Sequence, residues 1–189
     1  MNPAARPWLI VLFGLLVGCS DSPKKTFEGY KAKAEKGDAL AQTNLGNSYR
    51  NGEGVAENQV QAVSWYRQAA EQGFAPAQTN LGHCYRNGEG VAKDFVQAVS
   101  WYRKAAQQGV PLAQTSLGHC YFNGEGVAKD EIEAYAYWNL GGITDERVRK
   151  NVAILEKKMS ADQIADGKKR SVELQKEIDA RIAAKKPRK

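Results

Sequence analysis

The sequence predicts an all-α fold, an α-solenoid of stacked helix pairs, and two observations carry that prediction. The first is a period: residues 37–72, 73–108 and 109–144 are three copies of one 36-residue unit, and the first two copies differ at nine of 36 positions. The second is the spacing of apolar residues inside each copy, which follows one face of a helix rather than the alternation of a strand. A period in this range belongs to arrays whose units bury apolar faces against their neighbours. Such arrays present surface to a partner more than they enclose a substrate. The pattern points to binding and does not name what is bound.

Each copy divides into two helices. Ala41, Leu45 and Tyr49 form an apolar stripe on the first, repeated as Ala77, Leu81, Tyr85 and as Ala113, Leu117, Tyr121. Gly46, Gly82 and Gly118 interrupt it. A helical Gly costs about 1 kcal/mol against Ala, so its return in every copy marks a place where another helix comes close. The pairs Asn51-Gly52, Asn87-Gly88 and Asn123-Gly124 end these helices, Gly taking the left-handed conformation after the last turn. The second helices begin at Asn58…Gln61, Asp94…Gln97 and Asp130…Glu133, each spaced as a reciprocal capping box. Their inward faces are predicted to be Ala62, Trp65, Tyr66, Ala69, then Ala98, Trp101, Tyr102, Ala105, then Ala134, Tyr137, Trp138. Gly73 and Gly109 end the first two, and Pro76 stands in a first turn, where its missing N–H does no harm.

The run Ala-x3-Leu-Gly-x2-Tyr-x2-Gly-x-Gly-Val, followed by Ala-x2-Trp-Tyr-x2-Ala-Ala-x2-Gly, closely resembles the Sel-one-like repeat, a relative of the tetratricopeptide repeat, over residues 37–144. The resemblance implies antiparallel helix pairs in a right-handed superhelix and a role as an adaptor between proteins. Asn58 stands where the later copies have Asp94 and Asp130, and Gly141-Gly142 replaces Ala-Ala. Residues 26–36 align with a second helix alone, Tyr30 on Tyr66 and Ala34 on Ala70, and are expected to form an N-terminal half-repeat. Residues 145–184 are expected to be C-terminal capping helices: Val148, Val152, Leu155 and Met159 keep an apolar pattern, and a capping box at Ser160…Gln163 opens a last helix whose Ile164, Val172, Ile178 and Ile182 face inward.

The ends of the chain carry the address. Residues 1–18 combine Arg6, an apolar run over 8–17 and small residues after it, as a secretory signal does. The run is short of the roughly 20 apolar residues a membrane span needs. Leu16-Val17-Gly18-Cys19 resembles the bacterial lipobox, which implies cleavage before Cys19, lipid on its sulfur and a polar tether over 19–25. The expected place is the periplasmic face of an envelope membrane; Ser20 favours the outer membrane, with Asp21 pulling the other way. Residues 19–144 hold 12 basic and 13 acidic side chains, and residues 145–189 hold 14 and 8, so the formal charge of +6 belongs to the C-terminal segment and its tail 185–189. Such a tail is read first as a solvated, frayed terminus, with anionic lipid or another polyanion as the binding alternative; secretion argues against nucleic acid. Ser22-Pro23-Lys24-Lys25 has the Ser-x-x-Lys spacing of penicillin-binding enzymes but lies in the tether without a Lys-Thr-Gly partner, and is read as coincidence.

No catalytic, cofactor or metal site is expected. His83-Cys84 and His119-Cys120 are neighbours on a helix, where adjacent side chains point about 100° apart, and their spacing fits no zinc pattern. Equivalent positions of stacked repeats lie about 10 Å apart, beyond the roughly 7 Å a disulfide spans between Cα atoms. Cys84 and Cys120 are therefore expected as reduced thiols. Some Sel-one-like proteins with two Cys per repeat are described as acting on β-lactams; each copy here has at most one. The reading is a periplasmic interaction scaffold, in a narrower version one that neutralises a toxin; the alternative is an envelope enzyme acting on cell-wall or β-lactam substrates. If the apolar stripe points inward, Asn44, Asn47, Arg50, Asn80, His83, Arg86, Ser116, His119 and Phe122 lie on another side of the first helices and form a polar groove for a protein or peptide partner.

Overall fold

The computed structural model describes residues 22–142 and 145–185; Cys19, the signal segment and residues 186–189 of the basic tail lie outside them. Among the described residues the chain is helical throughout: α1 (Pro23–Ala34), α2 (Ala39–Asn51), α3 (Gln59–Glu71), α4 (Ala75–Asn87), α5 (Phe95–Ala106), α6 (Pro111–Asn123), α7 (Glu131–Gly141), α8 (Glu146–Glu156) and α9 (Ala161–Lys185). The pairs α2/α3, α4/α5 and α6/α7 are the three repeats, stacked in chain order, with α1 on the first and α8 and α9 on the last. The chain is thus an α-solenoid with a half-repeat at one end and capping helices at the other.

Local chemistry sets each pair. Gly52, Gly88 and Gly124 cap the first helices with φ of 71°, 79° and 71°, as the Asn-Gly pairs predict. Asn58, Asp94 and Asp130 cap the second helices through their side chains. The reciprocal half of the expected capping box is not made there. The cap N–H groups donate instead to the carbonyls of Tyr49, Tyr85 and Tyr121, at 2.8, 2.8 and 3.0 Å, and so tie the two helices of a pair together. Ser160 and Gln163 do make both halves, at 3.2 and 2.9 Å.

The second Gly of each loop fixes the stacking. A Cβ on Gly54, Gly90 or Gly126 would strike the carbonyl of Pro23, Gln59 or Phe95, the first residue of the preceding outer helix. Those three residues are 36 apart, which places α1 in the register of a second helix. α1 starts three residues before the expected half-repeat. Ser22 is its N-cap, and residues 23–25, expected in the tether, are its first turn.

Inside a pair the helices approach through glycine. A Cβ on Gly82 would lie 2.6 Å from the Tyr102 ring, one on Gly46 would lie 2.6 Å from Tyr66, and one on Gly118 would strike Trp138. Those three rings are buried, whereas their neighbours Trp65 and Trp101, predicted on the inward face, are only half-buried. The first-helix stripe also shifts. Its buried residues run Ala41, Leu45, Ser48, then Ala77, Leu81, Cys84, then Ala113, Leu117, Cys120, and the tyrosines at 49, 85 and 121 are half-buried at the edge.

A ladder of buried amides joins the repeats. Gln42, Gln78 and Gln114 donate to the last-turn carbonyls of Ala34, Ala70 and Ala106, at 3.2, 3.1 and 3.4 Å. Gln72 and Gln108 reach back to the Gln42 and Gln78 carbonyl oxygens. These helix-end carbonyls already accept from the N–H groups of Gly37, Gly73 and Gly109, and the glutamine amides from the next unit add a second bond to each. At the far end α8 buries Val148 and Leu155, and Met159 is buried just beyond it. α9 buries Gly167, Ser171, Leu174 and Ile178. Val172 and Ile182, expected inward, are 54% and 40% exposed. Val172 follows buried Ser171 and so points about 100° away from the seam.

Gly82→Ala tests the glycine contact. Helix propensity alone would favour Ala by about 1 kcal/mol, but displacing the Tyr102 ring costs about 1–3 kcal/mol. A net loss of up to about 2 kcal/mol in urea unfolding is expected; a gain would show that the helices do not touch there.

Candidate functional site

The first helices share one open face, and it holds the largest cavity described, about 510 Å³, between α4, α6 and the start of α8. His83, Arg86, Ser116 and His119 line it beside Leu112 and Arg147. Four of the nine expected groove positions therefore converge on one cavity. Asn44, Asn47, Arg50, Asn80 and Phe122 are half-buried members of the same helices.

The side chains of this face are partly tied into the solenoid. The Asn47 carbonyl oxygen accepts from the Tyr66 hydroxyl at 2.7 Å and from the Asn80 amide at 3.3 Å, joining repeats one and two. In the next repeat the Tyr102 hydroxyl meets His83 Nδ1 at 3.0 Å. In the third, His119 stands edge-on to Trp138 with ring centroids 5.1 Å apart. Burial raises the Tyr66 and Tyr102 phenols well above their ordinary range. Burial, then the charge of Arg86, lowers both imidazoles. With phenol protonated and imidazole neutral, a single hydrogen bond joins Tyr102 and His83 Nδ1, and the tautomer of His83 sets which of the two donates.

Three positions depart from the expected groove. Ser116 is buried at 4% exposure, and its hydroxyl donates to the Leu112 carbonyl at 2.8 Å, so it offers no partner contact. Arg86 is not an open guanidinium: its Nε bonds Glu125 in the α6–α7 loop of the next repeat at 2.8 Å. Burial works against ionisation of Glu125, but this bond and the Arg86 charge hold its carboxyl below the usual range. Phe122 packs on Trp138, ring centroids 5.2 Å apart, and the Lys129 ammonium stands 5.8 Å from its ring centroid. Asn44 and Arg50 are less constrained; Arg50 makes one long bond, 3.4 Å, to Asn51.

The expected polar character also missed an apolar row. Leu40, Pro76 and Leu112 stand in the first turns, 36 residues apart, and Leu40 and Leu112 are 57% and 56% exposed. The period held the signal: an apolar residue recurring off the buried stripe has a place on the surface.

The His-Cys pairs do not converge. His83 turns to Tyr102, while Cys84 and Cys120 are free thiols in the core, pushed up to about 11 by burial. Among the described residues no three His, Cys, Asp or Glu side chains come together as a metal set.

Repeated antiparallel pairs with a glycine–aromatic contact at a fixed period define an α-solenoid of Sel1-like repeats, and comparison bears this out. The Sel1 repeat matches residues 39–74, 75–110 and 111–141, and the chain belongs to that family. A Sel1 repeat protein from Oxalobacter formigenes is similar at 39% identity and a TM-score of 0.60, over 67% of this chain and 96% of that one. A second structure, c5321, described as a protective antigen of uropathogenic Escherichia coli with an SLR fold, is 32% identical with a TM-score of 0.56. It covers 90% of this chain, which spans 45% of its length. Among curated proteins none matches.

Two outcomes follow from this chemistry. Each imidazole binds its proton less readily in the fold than in the unfolded chain, so the unfolded state gains protons as pH falls. Stability is complete above the ordinary imidazole range, about pH 6.5, and declines as pH falls through it. The urea midpoint of the wild type should drop more between neutral and mildly acidic pH than that of His83→Asn/His119→Asn; equal drops would contradict it. Native Cys84 and Cys120 should resist alkylation by iodoacetamide at neutral pH and react fully in urea, and rapid native labelling would contradict their burial.

Proposed function

We propose that the chain is a non-catalytic scaffold of the bacterial envelope that holds an extended segment of a partner protein across its first-helix face. Sel1 repeats mediate protein–protein contact, which supports the general role. The observation that carries the proposal is the composition of the face at the repeat period. An exposed apolar residue at 40, 76 and 112 runs beside the amides of Asn44 and Asn80 and an amide–imidazole row at 47, 83 and 119, while Ser116, the third member of the amide row, is buried against its own helix. Neighbouring packed helices are about 10 Å apart, and an extended chain advances about 3.3 Å per residue. A strand would turn every second of the side chains at that spacing away, so a segment that keeps one side chain in three on the Leu40–Pro76–Leu112 row takes the three-residue turn of polyproline II, which advances about 3.1 Å per residue. Its backbone would meet the amides of Asn44 and Asn80. Toxin neutralisation is the narrower form of this role, in which the held segment belongs to the toxin.

The lipobox supports a lipid anchor at Cys19 and residence at the periplasmic face, the outer membrane favoured. Since α1 begins at Pro23, four residues after Cys19, the repeats would lie close against the membrane.

Two experiments test this. Cells fed a fatty-acid analogue should label the wild type and not Cys19→Ala; an unlabelled wild type removes the anchor. Leu112→Glu with Asn44→Arg, both outside the core, should lose at least about tenfold in affinity for any partner recovered by crosslinking, with unchanged thermal stability. Unchanged capture would move the binding face elsewhere.

A further inference from the structure

The second helices carry an aromatic residue at one repeat position, Trp65, Trp101 and Tyr137. Tyr137 is 8% exposed, whereas Trp65 and Trp101 are only half-buried. The difference is α9. It crosses α7 with Gly167 against the Tyr135 ring, Leu174 joins the cluster that holds Tyr137, and Ile178 and Ile182 reach Gly109. Arg170 bonds Glu133 of α7 at 2.8 Å. α9 thus packs on α7 along the furrow between α5 and α7, with a cavity of about 310 Å³ left between it and Arg103 and Ala106 of α5.

One repeat earlier, the furrow between α3 and α5 has the same frame. Arg67 donates to the Tyr85 hydroxyl at 2.9 Å as Arg103 donates to Tyr121 at 3.3 Å. No described helix lies in it. The space beside Gly73 is open where Gly109 meets two isoleucines. A cavity of about 290 Å³ runs along α3 between Val60, Ser64, Arg67 and Val91, and Val60 is 65% exposed. The charges differ from those under α9. Gln97 stands at the position of Glu133, so the carboxylate that receives Arg170 is missing. Lys104 lies over the Trp101 ring at 3.8 Å, and Arg67 flanks the cavity; Glu71 is the one acid lining it.

We propose that the α3–α5 furrow docks an amphipathic helix of a partner protein, seated as α9 is seated one repeat later, with aliphatic residues on Trp101 and an acidic residue where α9 carries Arg170. Helix-in-groove docking reads anchors at the i, i+3, i+4, i+7 spacing, which is how α9 places Gly167, Ser171, Leu174 and Ile178. The surplus of Arg67 and Lys104 over Glu71 selects the acidic helix over a basic one. This surface is separate from the first-helix face.

The test uses the intact chain and two stapled peptides of the α9 sequence, residues 161–185, one native and one carrying R170E and K176E. Trp fluorescence and calorimetry should show the acidic peptide binding at least about tenfold tighter than the native one. Arg67→Glu and Lys104→Glu, at exposed positions, should each weaken it about tenfold without changing thermal stability, and Leu112→Glu on the other face should leave it unchanged. Equal binding of the two peptides, indifference to both charge reversals, or no binding at about 1 mM would each overturn the proposal. Self-association of the chain abolished by Arg67→Glu would overturn it in favour of a second copy as the occupant.

Discussion

The fold depends on a contact between a glycine and a ring. Gly46, Gly82 and Gly118 remove the one atom that would keep the two helices of each pair apart, and Tyr66, Tyr102 and Trp138 fill the space. The rings sit at 0–2% exposure, so each contact is a full burial of a large side chain against backbone. Repetition at a constant period converts one local fit into a direction of growth, because each unit presents the next with the same surface. The loop glycines repeat the logic between units, admitting the carbonyls of Pro23, Gln59 and Phe95.

Polar groups then fix the register. The cap N–H groups of Asn58, Asp94 and Asp130 reach the tyrosine carbonyls inside a repeat, and the buried glutamines at 42, 78 and 114 reach the helix end of the repeat before. A slip of one residue would break both sets and leave buried amides without partners, a costly outcome. The same phenols that lock the helices also hold Asn47 and His83. The binding face is therefore built from side chains positioned by the packing beneath them, which lowers the entropy cost of meeting a partner.

The helices, their caps and the place of the glycines were legible in the sequence, because period and spacing encode them directly. Burial at the edge of a helix was not. Tyr49 and Ser48 are adjacent, and only the crossing of the second helix decides that Ser48 and its equivalents Cys84 and Cys120 turn inward. Trp65 and Trp101 look more apolar than Tyr66 and Tyr102, yet the tyrosines are the buried pair, since they face the glycines. In the expected groove, Arg86 is held by Glu125 of the next repeat, which helical spacing within one repeat does not reveal, and Ser116 turns back to the Leu112 carbonyl of its own helix. The seam of α9 was misread by one residue, Val172 for Ser171, because a buried serine carries no hydrophobic signal.

The central claim is that the ring facing the glycine, not the larger indole beside it, holds the central repeat together. Urea unfolding of Tyr102→Ala and Trp101→Ala measures it most directly. The account predicts a loss of about 3–5 kcal/mol for Tyr102→Ala, the range for a buried aromatic, and a clearly smaller loss for Trp101→Ala. A larger loss at Trp101 than at Tyr102 would contradict it.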